Sequence, residues 1–447
     1  MSQEQYEPRV WRNRFKKALV LENPHPSLDT YLEGLGIEVE RINEPPTQDD
    51  ELIELLRRGR HNLIFKRSRV QITERLVKAA PDLFGVMLCC IGDDSVDKMA
   101  CAQAGIMVIN DPISNGRSVA EMVLGEIICL SRRIFEAAEA TEDNRWTKSG
   151  ADRYEINGKT LGIVGLGNIG KQVAQLGQAM GMKIVFFDNR EVAREVGRVL
   201  GWHAAKSVKE VFELSHVLTM HLSATDYSGR SNENILTREM FMSMSQDVEI
   251  PGPRIFINAA RGFIYEPDDL VAAVEAGKID YACVDVFPRE PHHKSEAWTN
   301  PYAGVPGIYA TPHIGAATQE AQPRIARHVA GSTRLFSHFG RVRNCIYSPK
   351  YPIGVPEGEQ PSHILAVVHS DRRGTKKAID ETIYDAGLSN LSSVHKDFAP
   401  WGIAYDVNVI DGGLSQEQIQ GLIDRTVQNT GDPTSIRSVR MIEVGVG

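Results

Sequence analysis

Residues 160–188 read TLGIVGLGNIGKQVAQLGQAMGMKIVFFD. An apolar run ends on Gly165, and Gly165, Gly167 and Gly170 form a G-x-G-x-x-G pattern that opens a helix-like run. The first glycine permits a tight turn, the second lets backbone approach a pyrophosphate, and the third lets helix and strand pack closely. The helix N-terminus then offers free N–H groups and the positive end of its dipole to phosphate. A second apolar run ends on Asp188, 18 residues after Gly170. An acid there accepts hydrogen bonds from ribose hydroxyls and repels a 2′-phosphate, which favours NAD over NADP, although Arg190 stands close by.

The same alternation runs outward from this stretch. Downstream, HVLTMHL, RIFINAA, YACVDVF and GIYATPH continue the strands of a second α/β unit. Upstream, KALVLE, IEVERI, HNLIFKR and FGVMLCCIG alternate with helix-like PSLDTYLEGLG, DDELIELLRRG and TERLVKAAP. Strand and helix in turn predict parallel sheets with helices on both faces, here a flavodoxin-like substrate domain and a Rossmann cofactor domain. Between them, residues 117–146 read as one long helix, apolar nearly all round in its first half and so buried on several sides. The tail reads strand, helix, strand, strand, helix, strand, a ferredoxin-like βαββαβ order. The expected division is a substrate-binding domain over 17–116 with 319–345, an NAD-binding domain over 117–318, a Pro- and Gly-rich linker over 346–361, and the βαββαβ domain over 362–447. Residues 1–16 read as a polar arm before the first strand.

Bulk properties bound the function. At 447 residues the chain exceeds a single core, and 42% hydrophobic with 24% charged residues is an ordinary globular balance. A net charge of −8 without a long basic face argues against nucleic acid, and no apolar run is long enough for a membrane span. The six cysteines lack metal-ligand spacing and sit mostly in apolar segments, which predicts a reduced, cytoplasmic setting and no metal.

A nicotinamide enzyme acting on a hydroxy acid needs a base for the hydroxyl proton, a cation for the carboxylate, and a group that sets the pKa of the base. In an open α/β sheet, ligands bind beyond the carboxyl ends of the strands. IFINAARG places Arg261 there, ACVDVFPREP places Asp285 and Glu290, and IYATPHIG places His313. Arg261 can grip a carboxylate in a bidentate fork. Glu290 beside His313 would favour imidazolium and raise its pKa, letting His313 exchange the hydroxyl proton as acid/base.

VGLGNIGKQVA, INAARG, VDVFPREP and TPHIGAATQEAQ together resemble the D-isomer-specific 2-hydroxyacid dehydrogenases over roughly residues 17 to 345. INDPISNGRSVAEMVLGE and the tail most resemble the branch with a C-terminal ACT-like domain that oxidises D-3-phosphoglycerate with NAD at the start of serine biosynthesis. The resemblance implies that His313 is the acid/base, Glu290 its partner, Arg261 the carboxylate anchor, and Asp285 the holder of the nicotinamide carboxamide, with Asn168, Ile169, His221, Ala259 and Gly315 as further cofactor contacts. It also implies substrate contacts from backbone around Ile91 and Gly92 and from the Asn115 side chain, and a first domain that closes over the substrate. The helix from Arg117 would form the dimer interface of a homo-oligomer, a dimer or a tetramer. Arg67 and Arg69 in FKRSRVQIT and Lys148 in NRWTKSG are the basic groups for a phosphorylated 2-hydroxy acid, with Arg41 as a further charge. The alternatives are another D-2-hydroxy acid (2-hydroxyglutarate, glyoxylate or hydroxypyruvate) and, in a different class, an NAD-sensing corepressor-like binding protein.

The tail departs from that pattern. His369 is kept, but in VHSDRRG Asp371 stands for an expected asparagine and Arg373 for a proline, and Ser389 stands for a second asparagine. Asp371 would meet an amino acid's carboxylate as a like charge, so serine feedback is not expected. The connections near 224–234 and 245–254 are longer than usual.

Overall fold

The computed structural model describes residues 7–46, 49–226, 230–291, 296–348, 352–354 and 362–444. The chain forms two compact units, residues 1–112 with 322–447 and residues 113–321.

The first unit opens with a strand the sequence reading missed. β1 (Arg9–Arg12) lies in the segment expected to be a polar arm, and it pairs parallel with the last strand of the chain. A doubly wound sheet follows, built from β2 (Lys17–Leu21), α1 (Ser27–Glu33), β3 (Glu38–Ile42), α2 (Asp49–Gly59), β4 (Leu63–Lys66), α3 (Glu74–Ala79), β5 (Gly85–Leu88), α4 (Lys98–Gln103) and β6 (Met107–Ile109). Its strands are all parallel in the order β3-β2-β4-β5-β6, the flavodoxin-like arrangement. Thr73 and Asp97 cap α3 and α4 by accepting from backbone N–H groups of the first turn.

The second unit contains α5 (Gly116–Arg132), α6 (Ile134–Glu142), β7 (Thr160–Val164), α7 (Asn168–Ala179), β8 (Lys183–Phe187), α8 (Glu191–Val199), β9 (His203–Ala204), α9 (Val208–Leu214), β10 (Val217–Met220), α10 (Arg238–Met242), β11 (Ile255–Asn258), α11 (Pro267–Glu275), β12 (Tyr281–Val284) and β13 (Ile308–Ala310). Its seven strands run β13-β12-β11-β10-β7-β8-β9, the Rossmann order with one strand added at the edge. The single helix expected over 117–146 is corrected to two. Arg133 adopts a left-handed conformation (φ 53°, ψ 46°) that ends α5, and its guanidinium turns back to pair with Glu136 in α6. Helical structure stops at Glu142, and residues 141–150 are exposed. The connection near 245–254 is held by His216, whose Nε2 meets the Ile250 carbonyl at 2.8 Å. The 224–234 connection folds on itself through an antiparallel bridge between Thr225 and Ser231, and residues 227–229 lie outside the described residues.

α12 (Ala321–Phe339) returns the chain to the first unit, with Pro323 in its first turn where a missing N–H costs no hydrogen bond. Then come β14 (His363–His369), α13 (Thr375–Asp385), β15 (Asn390–Phe398), β16 (Ile403–Ile410), α14 (Gln416–Thr430) and β17 (Ile436–Glu443). The sheet order is β1-β17-β14-β16-β15, antiparallel apart from β1, a ferredoxin-like βαββαβ unit with a borrowed fifth strand.

The tail is not set off as a separate body behind a linker. One sheet face, with Leu365, Val367, Val439 and Met441, packs under α13 and α14. The other, with Ile364, Ala366, Val368, Tyr405, Val407 and Ile442, shares one core with the first doubly wound sheet and α12. Strands apolar on both faces must be covered on both. Within the expected linker, Tyr347 is buried with its hydroxyl donating to the Ile106 carbonyl at 2.8 Å, and Ile353 pairs with Val342; residues 349–351 and 355–361 lie outside the described residues.

Candidate active site

The dinucleotide loop lies between β7 and α7. Gly165 has φ +94°, and a Cβ there would stand 2.5 Å from the His221 carbonyl oxygen, so the turn tolerates only glycine. A Cβ on Gly170 would collide with the Gly165 carbonyl, which is the close helix–strand approach the pattern requires. Nothing stands within 4 Å of a Cβ position on Gly167, immediately before Asn168 and Ile169 open α7. The backbone at Gly167 is therefore open to close approach, and a pyrophosphate fits that cradle. His221 lies behind the turn, its Nε2 3.1 Å from the Thr219 hydroxyl; burial pushes its pKa down to about 3, so the ring is neutral.

Asp188 stands where expected, but its carboxylate is already engaged. It accepts from Leu166 N at 2.8 Å and from Arg190 through the backbone N (2.9 Å), Nε (3.0 Å) and Nη2 (2.8 Å). Burial alone would raise its pKa, but the Arg190 hydrogen bonds and charge with the Leu166 N–H hold it below the usual carboxylate range. A ribose hydroxyl would take the place of one guanidinium N–H.

The chemical residues converge at the carboxyl ends of β11, β12 and β13. Arg261 follows β11 in the loop held by Asn258, whose Oδ1 accepts from Ala260 N (3.0 Å) and whose Nδ2 donates to the Arg261 carbonyl (2.9 Å). Ala259 is half-buried in the same loop. Glu290 follows β12, with Oε1 accepting from Phe287 N at 3.1 Å. His313 follows β13, and its Nδ1 lies 2.7 Å from Glu290 Oε2. That hydrogen bond raises the His313 pKa above 6.5 against the opposing effect of burial, while Arg261 pulls it slightly back. Burial raises the Glu290 pKa, but His313 and Arg261 outweigh it and keep the carboxyl ionised. Half of the imidazole (47%) remains exposed, so its other nitrogen can reach a substrate.

Two further residues shape this corner. The Asp285 carboxylate, expected against the nicotinamide, is buried and fastens the turn that carries His313. It accepts from the Thr311 hydroxyl (2.6 Å), Ile314 N (2.8 Å) and Gly315 N (2.9 Å). Those bonds hold His313 at φ +53°, a left-handed conformation uncommon for a non-glycine residue. Glu126 on α5 was hidden within an apolar helix. It is buried, and burial together with the Asp285 charge pushes its pKa up to about 8, so it is mainly protonated at neutral pH.

The expected substrate groups divide between the units. Arg67 and Arg69 are half-buried in the loop after β4, which the buried Lys66 braces by donating to the Arg67 carbonyl (2.7 Å) and the Ser95 hydroxyl (2.6 Å). In the loop after β5, the Ile91 carbonyl accepts from Asn110 Nδ2 at 2.7 Å, and the Gly92 carbonyl accepts from Cys90 Sγ at 3.2 Å. Arg41 is corrected: its guanidinium forks onto Asp29 (2.7 and 2.6 Å) and donates to the Pro24 carbonyl, so it is a structural cation. In the second unit, Asn115 is buried at the start of α5 with no partner on Oδ1 among the described residues, and Lys148 is exposed.

Residues 124–315 match the family model described as D-isomer specific 2-hydroxyacid dehydrogenase, NAD binding domain. The chain is 30% identical to D-3-phosphoglycerate dehydrogenase 2 of Saccharomyces cerevisiae over 432 residues, covering 94% of this chain and 86% of that protein. It is 32% identical to D-3-phosphoglycerate dehydrogenase of Haemophilus influenzae over 373 residues, covering 83% and 86%. Among solved structures, the NAD+-bound 3-phosphoglycerate dehydrogenase of Entamoeba histolytica aligns with a TM-score of 0.59 at 24% identity, covering 74% of this chain and 98% of that one. A glyoxylate reductase from Paecilomyes thermophila aligns at 0.61 and 23%, covering 74% and 98%. A dinucleotide cradle, a histidine–glutamate pair beside an arginine, and near full-length similarity coincide: the chain belongs to the D-isomer-specific 2-hydroxyacid dehydrogenase family, and its cofactor is NAD.

Proposed function

We propose that the protein oxidises D-3-phosphoglycerate to 3-phosphohydroxypyruvate with NAD, the first step of serine biosynthesis. The observation that carries the chemistry is the His313–Glu290 hydrogen bond beside Arg261. Neutral His313 donates from Nδ1–H to Glu290 and keeps a lone pair on Nε2 for the substrate hydroxyl proton. Bound NAD supplies the hydride acceptor. As the proton arrives on Nε2, the Glu290 carboxylate stabilises the imidazolium. Arg261 grips the substrate carboxylate and sets the hydroxyl carbon against the cofactor. In the reverse direction His313 returns the proton.

The phosphate is assigned to Arg67 and Arg69, with Lys148 contributed by a neighbouring subunit. This reading is supported by the names of the relatives and by a basic loop at a strand end of the first unit. Ile91, Gly92 and Asn115 complete the substrate contacts, and the domain formed by 17–116 and 319–345 closes over the substrate. The protein is assigned to homo-oligomers joined through α5 and α6, a surface where Ile134, Phe135 and Trp146 are exposed. The tail is assigned as an ACT-like module whose Asp371 disfavours serine. Among the described residues no helix is long and apolar enough to cross a membrane, and none of the six cysteines is in a disulfide; the setting is assigned as cytoplasmic.

A second reading, a reductase of an unphosphorylated 2-oxo acid, is favoured by the similarity to a glyoxylate reductase fold. Initial rates with NAD and D-3-phosphoglycerate or D-2-hydroxyglutarate, for the parent and Arg69→Ala, separate the two. Loss of the guanidinium should raise KM for phosphoglycerate about tenfold or more. Unchanged phosphoglycerate kinetics would sink the phosphate assignment. Added L-serine should leave the rate unchanged, and inactivity toward every 2-hydroxy and 2-oxo acid would point to a binding protein instead.

A further inference from the structure

The tail carries a cluster of ionisable side chains that the dehydrogenase chemistry does not use. His369 ends β14, His395 lies on β15, and Asp406 lies on β16 directly opposite His395 in the strand register. Val367 also pairs with Asp406, and its side chain packs under α13 and α14, so this is the helix-covered face of the sheet. Asp406 is fully buried and His369 nearly so, while His395 is about one-third exposed at the edge strand.

Both rings are anchored from outside the cluster. His369 Nδ1 lies 2.7 Å from the Ser370 carbonyl, which can only accept, so Nδ1 carries a proton. His369 Nε2 then faces Asp406 Oδ2 at 2.6 Å. His395 Nε2 lies 2.7 Å from Asp397 Oδ1, and its Nδ1 faces the same Asp406 Oδ2 at 3.0 Å. Each ring is anchored by one nitrogen to an outer acceptor and turns its other nitrogen toward one buried carboxylate oxygen. The rings stack with centroids 5.7 Å apart, and Lys376 Nζ stands 3.2 Å from Asp406 Oδ1.

We propose that His369 Nε2, His395 Nδ1 and Asp406 Oδ2 form a binding site for a borderline divalent transition ion of the Zn2+ class. One dication would give all three ligand atoms a common partner. Two imidazoles and a carboxylate are a donor set suited to Zn2+ or Co2+, with a fourth position open toward the exposed edge. The outer bonds to the Ser370 carbonyl and the Asp397 carboxylate are the supports that metal-ligating histidines ordinarily have. The three ligand atoms lie within 4.8 Å of one another. Bonds of about 2.0 Å set tetrahedral ligands roughly 3.3 Å apart, so Asp406 Oδ2 would draw back by about 0.7 Å from His369 Nε2 and about 0.3 Å from His395 Nδ1. Asp371 lies on the same rim, its carboxylate within 4.8 Å of a His395 nitrogen and of Asp397, and adds negative potential at the entrance. Lys376 opposes the ion, and it also reaches Asn408 (3.0 Å), Ser393 (2.8 Å) and Asp380 (3.4 Å), which hold part of its charge away. The two histidines are far apart in sequence, and only strand pairing brings them together.

The test is calorimetric titration of the full-length, chelator-treated protein with ZnCl2 in buffers of differing ionisation enthalpy. One ion should bind per chain and release protons, with affinity rising from pH 6 to pH 7.5. His395→Ala should abolish that binding while leaving dehydrogenase activity unchanged. Asp397→Asn should weaken it about tenfold by removing the outer support, and Lys376→Ala should tighten it. His313→Asn should leave it intact, which separates this site from the catalytic histidine. Absence of saturable binding at micromolar Zn2+, binding that survives His395→Ala, or weaker binding in Lys376→Ala would each overturn the proposal. If His395→Ala fails to fold, as judged by circular dichroism, the variants at the more exposed Asp397 and Lys376 decide it alone.

Discussion

His313 Nδ1 stands 2.7 Å from Glu290 Oε2, and this contact, on a residue held at φ +53°, raises the histidine above its ordinary pKa. Oxidation of the alcohol needs the neutral ring, so kcat/KM should rise with pH through that elevated pKa and fall below it. Glu290→Gln keeps the shape but removes the charge. The ascending limb should move to lower pH, and the plateau rate should drop roughly 100-fold, because the forming imidazolium loses its partner. A pH profile of both enzymes checks the shift; an unmoved limb would assign the titration to another group.

His313→Asn should lower kcat by about 1,000-fold or more while NADH affinity, followed by fluorescence, stays within a few-fold. Collapse of NADH binding would show instead that the histidine supports the turn rather than the chemistry.

Asp188 and Arg190 make opposite contributions to cofactor choice. The Asp188 carboxylate now neutralises the Arg190 guanidinium through two hydrogen bonds. Asp188→Ala frees that guanidinium for a 2′-phosphate and removes the acceptor for ribose hydroxyls. The NADP to NAD ratio of kcat/KM should rise by about tenfold or more. An unchanged ratio would mean that the acid does not select the cofactor.

Glu126 couples stability to pH. Its folded pKa, about 8, lies above its ordinary value of 4.5, so the native state holds the proton more tightly than the unfolded chain does. The stabilisation is fully present below pH 4.5 and is lost as pH rises toward 8. Glu126→Gln keeps the neutral form at every pH and should raise Tm at pH 8 by about 2 °C or more, with little change at pH 5. Differential scanning calorimetry at the two pH values reads this directly.

Arg440 ties the tail to the returning helix. Its guanidinium lies 3.8 Å from the centre of the Phe15 ring and donates to the Phe336 and Ser337 carbonyls at 2.8 and 2.9 Å. Arg440→Met leaves those helix-end acceptors buried without a donor and should cost about 2–4 kcal/mol in urea denaturation. A smaller loss would mean that water reaches them.

Most strands of the doubly wound sheets and the six tail elements were legible because each has its own apolar periodicity. β6 and β9 were missed because three- and two-residue strands carry too little pattern to separate from a loop. β1 was missed for a different reason: Arg9–Arg12 has no apolar alternation and becomes a strand only because β17 offers it a parallel edge. The break at Arg133 was invisible because a single left-handed residue is chosen by the partners it reaches, Glu136 among them. Arg41 read as a free cation until Asp29 and Pro24 were seen to occupy it.

Local chemistry alone determined the cofactor loop, the acid at the end of β8, and the identities of Arg261, Glu290 and His313, since glycine, turn and strand-end preferences act within a few residues. Tertiary structure decided what those groups do to one another. It turned Asp285 into the clamp of the His313 turn, made Glu126 a protonated acid, engaged Asp188 with Arg190, and gathered His369, His395 and Asp406 around one carboxylate oxygen. The physical reason is that burial and pairing set the charge of a titratable group, and both depend on neighbours that the chain brings close only when its sheets assemble.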